Sequence, residues 1–118
     1  MDRIIKAFSN SVRALDRLAR SEKAVQQELV LLLLALPVGW FVAQSWAGYV
    51  LLVGAVLFLL LVEVLNTAIE AACNAVSREF NIDIQLAKDC GSLAVLIAAI
   101  IAGGIWLLAI VGRFWGIA

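Results

Sequence analysis

The stretch Val62-Glu63-Val64-Leu65-Asn66-Thr67-Ala68-Ile69-Glu70 places two carboxyl groups and a carboxamide inside an otherwise apolar run. An α-helix turns by about 100° per residue, so positions 63, 66 and 70 lie at about 0°, 300° and 340° around its axis. All three side chains therefore project from one narrow face. Such groups are costly in hydrocarbon and usually serve a function, so this face is the first candidate site.

The composition of the whole chain indicates an integral membrane protein. Of the 118 residues, 64% are hydrophobic and 15% are charged, and the mean hydropathy is +1.03. Soluble globular chains have about 45–50% apolar and about 25% charged residues. No shift in composition divides the sequence, so we expect a single domain that is all-α and embedded in a membrane.

Three apolar runs are predicted to span a bilayer as helices, although the first, fifteen uncharged residues from Leu29 to Ala43, is slightly short unless Gln27 and Gln44 lie at the interfaces. The prediction places a surface helix with a polar lead-in at 1–28, spans at 29–47, 48–77 and 90–115, and a cytoplasmic connector at 78–89. Within the third span, Ala94, Ala98 and Ala102 recur every four positions, a spacing that allows close contact between membrane helices.

The N-terminal segment combines apolar residues at helical spacing with most of the basic charge. Apolar residues recur at Ile4, Ile5, Phe8, Val12, Leu15 and Leu18. Six of the nine basic residues lie before position 29, namely Arg3, Lys6, Arg13, Arg17, Arg20 and Lys23. This pattern favours an amphipathic helix on an anionic membrane surface over a helix packed on a soluble core, and it argues against nucleic acid as a partner. Ser21 is the predicted N-cap of the first span.

The distribution of basic residues also predicts the orientation in the membrane. Eight lie in the N-terminal segment and the second connector, whereas Arg113 alone lies on the other side. By the positive-inside rule, the N-terminus is therefore cytoplasmic. This orientation places one group of ionisable residues at or near the cytoplasmic surface: Glu22, Glu28, Glu63, Glu70, Lys88 and Asp89.

The two acids of the opening stretch are expected to have different roles. Glu63 and Glu70 are separated by about 10.5 Å along a helix axis, so they cannot share one metal ion symmetrically. In one division of roles, Glu70 binds Mg²⁺ with help from Glu22, while the deeper Glu63 accepts a proton from a membrane-resident hydroxyl. Lys88 would then supply a positive charge for phosphate oxygens.

Chemistry alone leaves the function open among three classes. The chain has no GxxxxGK[ST] or GxGxxG motif, so ATP use does not follow from the spacing. A lipid-phosphorylating enzyme, an ion- or proton-coupled small transporter and a structural subunit all account for buried acids. There is no histidine and no CxxC pair, so a zinc site is not expected. Glu28, Glu79 and Asp83 are interpreted as solvated cytoplasmic charges.

Two motifs resemble those of a known enzyme family. Glu63-Val-Leu-Asn66-Thr-Ala-Ile-Glu70, followed by Ala87-Lys88-Asp89-Cys-Gly91-Ser92, is similar to the prokaryotic diacylglycerol kinase family. The resemblance extends through Arg3-Ile-Ile-Lys6 and Glu22-xxxx-Gln27-Glu28, and it covers nearly the entire chain.

The resemblance implies a bacterial inner-membrane homotrimer of three-span subunits. Active sites would form between subunits, and MgATP would phosphorylate diacylglycerol at the cytoplasmic interface. Carried over by position, Glu63 would be the base, Glu22 and Glu70 would bind Mg²⁺ and ATP, Asn66, Lys88 and Asp89 would contact ATP, and Arg3, Ser92 and Glu63 would lie near the lipid.

The same family has a branch that phosphorylates undecaprenol. Cys90-Gly91-Ser92 is more similar to the diacylglycerol branch, so undecaprenol kinase is the alternative within the family. Three residues depart from the family pattern: Asn74 stands where Asp is frequent, Leu86 where a basic residue is common, and Asn10 where an aromatic residue can occur. These departures bear on nucleotide affinity and lipid-edge contacts rather than on the chemistry.

Overall fold

The computed structural model describes residues 1–116, which form four α-helices and contain no strand. The helices are α1 (Asp2–Ser21), α2 (Lys23–Val42), α3 (Trp46–Val76) and α4 (Ile82–Trp115). Each of α2, α3 and α4 is long and apolar enough to cross a membrane. The prediction of an all-helical chain with three candidate spans is confirmed.

The break between α1 and α2 lies one residue beyond the predicted cap. Ser21 is the last residue of α1, and its hydroxyl donates a hydrogen bond to the carbonyl oxygen of Arg17 at 2.8 Å. Glu22 adopts an extended conformation and separates the two helices without a side-chain cap. The prediction that Ser21 caps the first span was therefore wrong, because its hydroxyl is bonded back into the preceding helix.

The turn between α2 and α3 lies earlier in the chain than the predicted boundary between the first two spans at 47/48. Only residues 43–45 separate the helices, and Ser45 caps α3 by accepting a hydrogen bond from the Gly48 backbone N–H at 2.9 Å. Such a cap satisfies one of the free amide groups in the first turn of a helix. The two spans therefore form a tight antiparallel hairpin.

The second connector is also shorter, because α4 begins well before the apolar run. The Asn81 side-chain oxygen accepts hydrogen bonds from the backbone N–H groups of Asp83 and Ile84, at 2.8 and 3.3 Å. Only residues 77–81 lie between α3 and α4. Much of the predicted connector at 78–89, including Lys88 and Asp89, is therefore helical. The polar residues of this segment indicated where the chain leaves the membrane, but α4, capped by Asn81, begins eight residues before the predicted third span.

The three long helices pack through small side chains. α3 makes the main contacts with both α2 and α4, and α1 contacts α2. Ala98 and Ala102 of α4 are buried, as the repeat predicts, but Ala94 is exposed. The buried apolar side chains are Val25, Ala35, Val42, Leu52, Ala55, Val56, Ala98 and Ala102. Small residues let helix backbones approach closely, which is how membrane helices gain packing energy.

Two hydrogen bonds link the spans in the half of the bundle near the α2–α3 turn. The Trp106 indole N–H donates to the Leu52 carbonyl oxygen at 3.0 Å and joins α4 to α3. The Tyr49 hydroxyl donates to the Leu36 carbonyl oxygen at 2.9 Å and joins α3 to α2. These bonds give both amphipathic side chains a polar partner, as buried Tyr and Trp generally require. They hold the three helices in one register.

Candidate active site

The polar face of α3 runs from a buried acid to an exposed one. Glu63 and Asn66 are each 8% exposed, whereas Glu70 is exposed. The Asn66 side-chain N–H donates to Glu70 Oε1 at 3.0 Å, so the amide orients the exposed carboxylate. Since α3 is one continuous helix, the prediction that these three residues share a face is confirmed. One face therefore connects the interior of the bundle to its polar end.

Asn66 is held from the other side by the backbone of α4. A Cβ atom at Gly91 would overlap Asn66 Oδ1, so the amide occupies space that only glycine leaves free. Asn66 Oδ1 itself is buried and has no hydrogen-bond partner among residues 1–116. A buried amide oxygen without a partner is costly and commonly indicates a functional contact. The Gly91 backbone thus fixes the position of Asn66, with the amide oxygen packed against α4 and the amide N–H directed to Glu70.

Glu28 of α2 is a site residue that the sequence interpretation missed. Its side chain is 8% exposed, and Oε1 is buried with no hydrogen-bond partner in the described part of the chain. It lies close enough to Glu63 for the two carboxylate charges to interact. The interpretation of Glu28 as a solvated charge was therefore wrong.

Helical spacing could have identified Glu28. The buried residues of α2 are Val25, Glu28, Ala35, Gly39 and Val42, separated by three, seven, four and three positions. These intervals define one helix face. Glu28 lies on this face one turn after Val25, so its burial follows from the same repeat that places the apolar residues in the core.

Lys88 and Asn74 join the polar ends of α4 and α3. The Lys88 ammonium donates a hydrogen bond to Asn74 Oδ1 at 2.9 Å, and both side chains are half-buried. On α4, Asp89 and Ser92 are exposed within one turn of Lys88. The structure therefore brings Lys88 to the side of α3, close to the end that carries Glu70.

The remaining predicted site residues lie toward the N-terminus. Glu22 is half-buried at the break between α1 and α2, and Arg3 is exposed at the far end of α1. Within residues 1–116, α1 contacts α2 but neither α3 nor α4. A single chain thus does not bring Arg3 to Glu63.

A single chain contributes only part of a metal site. No group of three or more His, Cys, Asp or Glu side chains that could hold a metal ion occurs in the described residues. The donor atoms nevertheless fit Mg²⁺, which prefers carboxylate and carbonyl oxygens and is usually held by one or two carboxylates plus substrate phosphates. The Glu70 carboxylate is exposed and oriented by Asn66, whose own carbonyl oxygen lacks a partner. This set is compatible with a metal ion completed by phosphates.

Comparison with known proteins shows the family to which this chain belongs. The model of the family described as prokaryotic diacylglycerol kinase matches residues 9–110. The chain belongs to this family. Diacylglycerol kinase of Escherichia coli strain K12 is 38% identical over 112 residues, covering 95% of this chain and 92% of the relative. With three candidate spans, the chain is a membrane-embedded lipid kinase of a bacterial family.

More distant relatives agree. The diacylglycerol kinase of Pseudomonas aeruginosa strain PAO1 is 31% identical over 112 residues, which are 95% of this chain and 91% of the relative. That of Haemophilus influenzae strain Rd is 28% identical over 103 residues, 87% of each chain. All three relatives carry the name diacylglycerol kinase, so the comparisons favour neither a transporter nor an undecaprenol kinase.

Proposed function

We propose that this enzyme transfers the γ-phosphoryl group of MgATP to the hydroxyl of diacylglycerol, giving phosphatidic acid at the cytoplasmic face of the bacterial inner membrane. The observation that carries the proposal is the polar face of α3, which leads from buried Glu63 through Asn66 to exposed Glu70. A lipid hydroxyl approaches from the bilayer and a nucleotide from water. Phosphoryl transfer from a nucleotide to a lipid requires a site that is reached from both the bilayer and the water, and this face extends from one to the other.

Glu63 is the proposed general base. A carboxylate can accept the proton of a lipid hydroxyl as its oxygen attacks the γ-phosphorus, provided it lies within hydrogen-bond reach. The burial of Glu63 supports this role because water then competes less with the lipid hydroxyl as the attacking group. Ser92 on α4 and Arg3 on α1 are the proposed contacts of the lipid.

Glu70 and Glu22 are the proposed carboxylate ligands of Mg²⁺, with Asn66 orienting Glu70. Bound Mg²⁺ would neutralise negative charge on the phosphate oxygens during transfer. Lys88 would hold phosphate oxygens by its positive charge, and Asp89 would contact the rest of the nucleotide. No glycine-rich phosphate loop is needed if charged side chains position the phosphates.

The proposed assembly is a homotrimer in which each active site is shared between subunits. Because α1 contacts neither α3 nor α4 within the described chain, Arg3 reaches a Glu63 only if α1 serves a neighbouring subunit. Exposed apolar residues of α1, including Ile4 and Phe8, support a position on the cytoplasmic membrane surface. The excess of basic residues on that side supports a cytoplasmic N-terminus.

The proposal is tested by supplying purified enzyme with diacylglycerol in mixed micelles, Mg²⁺ and ATP labelled at the γ-phosphate. We expect label in a chloroform-soluble lipid that comigrates with phosphatidic acid. Undecaprenol supplied in competition tests the alternative lipid, and coupled ion flux in vesicles tests the transporter. No labelled lipid from either substrate would contradict a kinase function.

Two substitutions test the division of roles on α3. Glu63→Gln removes the base but keeps the shape, so turnover should fall by at least about 10²-fold while binding of MgATP remains measurable. Glu70→Gln should instead weaken Mg²⁺ binding, so that more Mg²⁺ is needed for half-maximal rate. A near-normal rate for Glu63→Gln would show that the base has been assigned to the wrong residue.

A further inference from the structure

We infer that Asn74 is a positioning residue for the nucleotide: it holds the Lys88 ammonium in place while leaving its charge free for phosphate oxygens. The inference rests on the proposed function, because it takes Lys88 as a phosphate-binding residue. It concerns Asn74, the side chain of α3 that Lys88 contacts, and it gives a structural reason why a departure from the family pattern at this position bears on nucleotide affinity.

The contact joins two helices at the polar end of the bundle. Lys88 Nζ on α4 donates to Asn74 Oδ1 on α3 at 2.9 Å, and both side chains are half-buried. The only ion pair within residues 1–116 joins Arg20 to Asp16 on α1, so Lys88 has no carboxylate partner among the described residues. A neutral amide therefore holds this ammonium.

Because Asn74 is neutral, its contact with Lys88 leaves the charge and two N–H donors of the ammonium free. An ammonium group has three N–H donors, and the amide oxygen occupies one of them. The lysine stem is flexible, so fixing one N–H restrains the group before the nucleotide arrives. The other donors and the full positive charge remain available. Asp, the residue frequent at position 74 in the family, would restrain the ammonium in the same way through a carboxylate oxygen, whereas an apolar residue would not.

Asn74 also lies in line with the proposed catalytic face of α3. Positions 63, 66, 70 and 74 are spaced by three and four residues, so Asn74 continues the face that carries Glu63, Asn66 and Glu70. The Asn74–Lys88 contact is therefore one helical turn beyond Glu70, about 6 Å along the axis. At this distance, phosphates near Glu70 are within reach of the long Lys88 side chain.

The test is a double-mutant cycle on Asn74 and Lys88, read as the KM for MgATP and the KM for diacylglycerol. Asn74→Leu should raise the KM for MgATP about threefold to tenfold, the loss expected for one hydrogen bond that restrains a charged group. The KM for diacylglycerol should stay within about twofold. In the Lys88→Met background, Asn74→Leu should add no further increase, because there is no ammonium left to position.

Asn74→Asp separates restraint from charge without altering the size of the side chain. It should keep the KM for MgATP within about twofold of the wild type, because Asp, which is frequent at this position in the family, retains a side-chain oxygen that accepts from the Lys88 ammonium. Gln85→Leu is the matched control, since it removes an exposed amide one turn earlier on α4. Its KM for MgATP should equal that of the wild type.

The outcomes distinguish this inference from the proposed function. If the wild type phosphorylates the lipid but Asn74→Leu resembles Gln85→Leu, Asn74 does not position Lys88 and the inference is wrong. An equal effect of Asn74→Leu with and without Lys88 would also contradict it, because the role would then be structural. If the wild-type enzyme forms no labelled lipid, the proposed function fails and the inference fails with it.

Discussion

At the scale of single residues, the candidate active site contains polar groups that the fold leaves without hydrogen-bond partners. Asn66 Oδ1 and Glu28 Oε1 are buried without a hydrogen-bond partner in the described part of the chain. Leaving such groups unpaired costs about 1–3 kcal/mol each, so their retention has to be compensated elsewhere. Substrate binding is the compensation expected in an enzyme.

Glu28→Gln should stabilise the protein against unfolding. The change removes a buried carboxylate charge and its repulsion from Glu63, and it should add about 1–3 kcal/mol to the free energy of unfolding at neutral pH. Denaturation in detergent micelles measures this difference. Glu79→Gln, which alters an exposed acid on the connector, is the control and should have little effect. A destabilised Glu28→Gln variant would mean that the carboxylate has a favourable partner in the assembly.

At the scale of helices, the site depends on how closely α3 and α4 approach. Gly91 is buried, and its missing side chain leaves the space that Asn66 occupies. Further along the same helices, the bond from Trp106 to the Leu52 carbonyl oxygen fixes their register. Lys88 therefore meets Asn74 because the same two helices are held together at several points along their length.

Gly91→Ala should reduce both stability and activity. The added methyl group overlaps Asn66 Oδ1, so Asn66 must turn away from Glu70 or the helices must separate. Overpacking of this kind costs about 1–3 kcal/mol, which a lower unfolding temperature would reveal, and the phosphorylation rate should fall with the loss of the Asn66–Glu70 bond.

Gly104→Ala is the matched control on the same helix. No atom lies within 4 Å of a Cβ built at Gly104, and alanine favours helix by about 1 kcal/mol over glycine. Its unfolding temperature should therefore be unchanged or higher. If both alanine variants behaved alike, the contact between Gly91 and Asn66 would have no energetic importance.

At the scale of the whole molecule, one chain does not bring all the predicted site residues together. Within residues 1–116, α1 has no buried residue and contacts only α2, and many apolar side chains of the three spans face outward. Lipid covers part of such a surface, and neighbouring subunits can cover the rest. The proposed homotrimer provides this cover and brings α1 to the polar face of another subunit.

Mixing inactive subunits tests whether the active sites are shared. If Glu22 and Glu63 come from different subunits, a mixture of equal amounts of Glu22→Gln and Glu63→Gln chains should regain activity at about one site in four. A mixture of Glu63→Gln and Glu70→Gln chains should be no more active than the average of the two variants assayed separately, because both residues lie on the same helix and therefore come from the same subunit. No recovery in the first mixture would show that Glu22 acts within its own chain.

The sequence determined the helical content, the three candidate spans and the shared face of Glu63, Asn66 and Glu70. These features follow from local spacing and hydrophobicity, which act within one helix and need no neighbour. The helix boundaries were less predictable. At Ser21 and at the start of α4, side chains form hydrogen bonds to the backbone near the helix end. Neither helix end coincides with the change from polar to apolar residues along the sequence.

Only the tertiary structure decided which groups from different helices meet. Burial of Glu28 beside Glu63, the seating of Asn66 against Gly91 and the contact of Lys88 with Asn74 all depend on the faces that α2, α3 and α4 turn toward each other. Those faces are selected by close packing of small residues along the whole length of the helices. The residues next to a position in the sequence therefore do not predict which face of its helix contacts another helix.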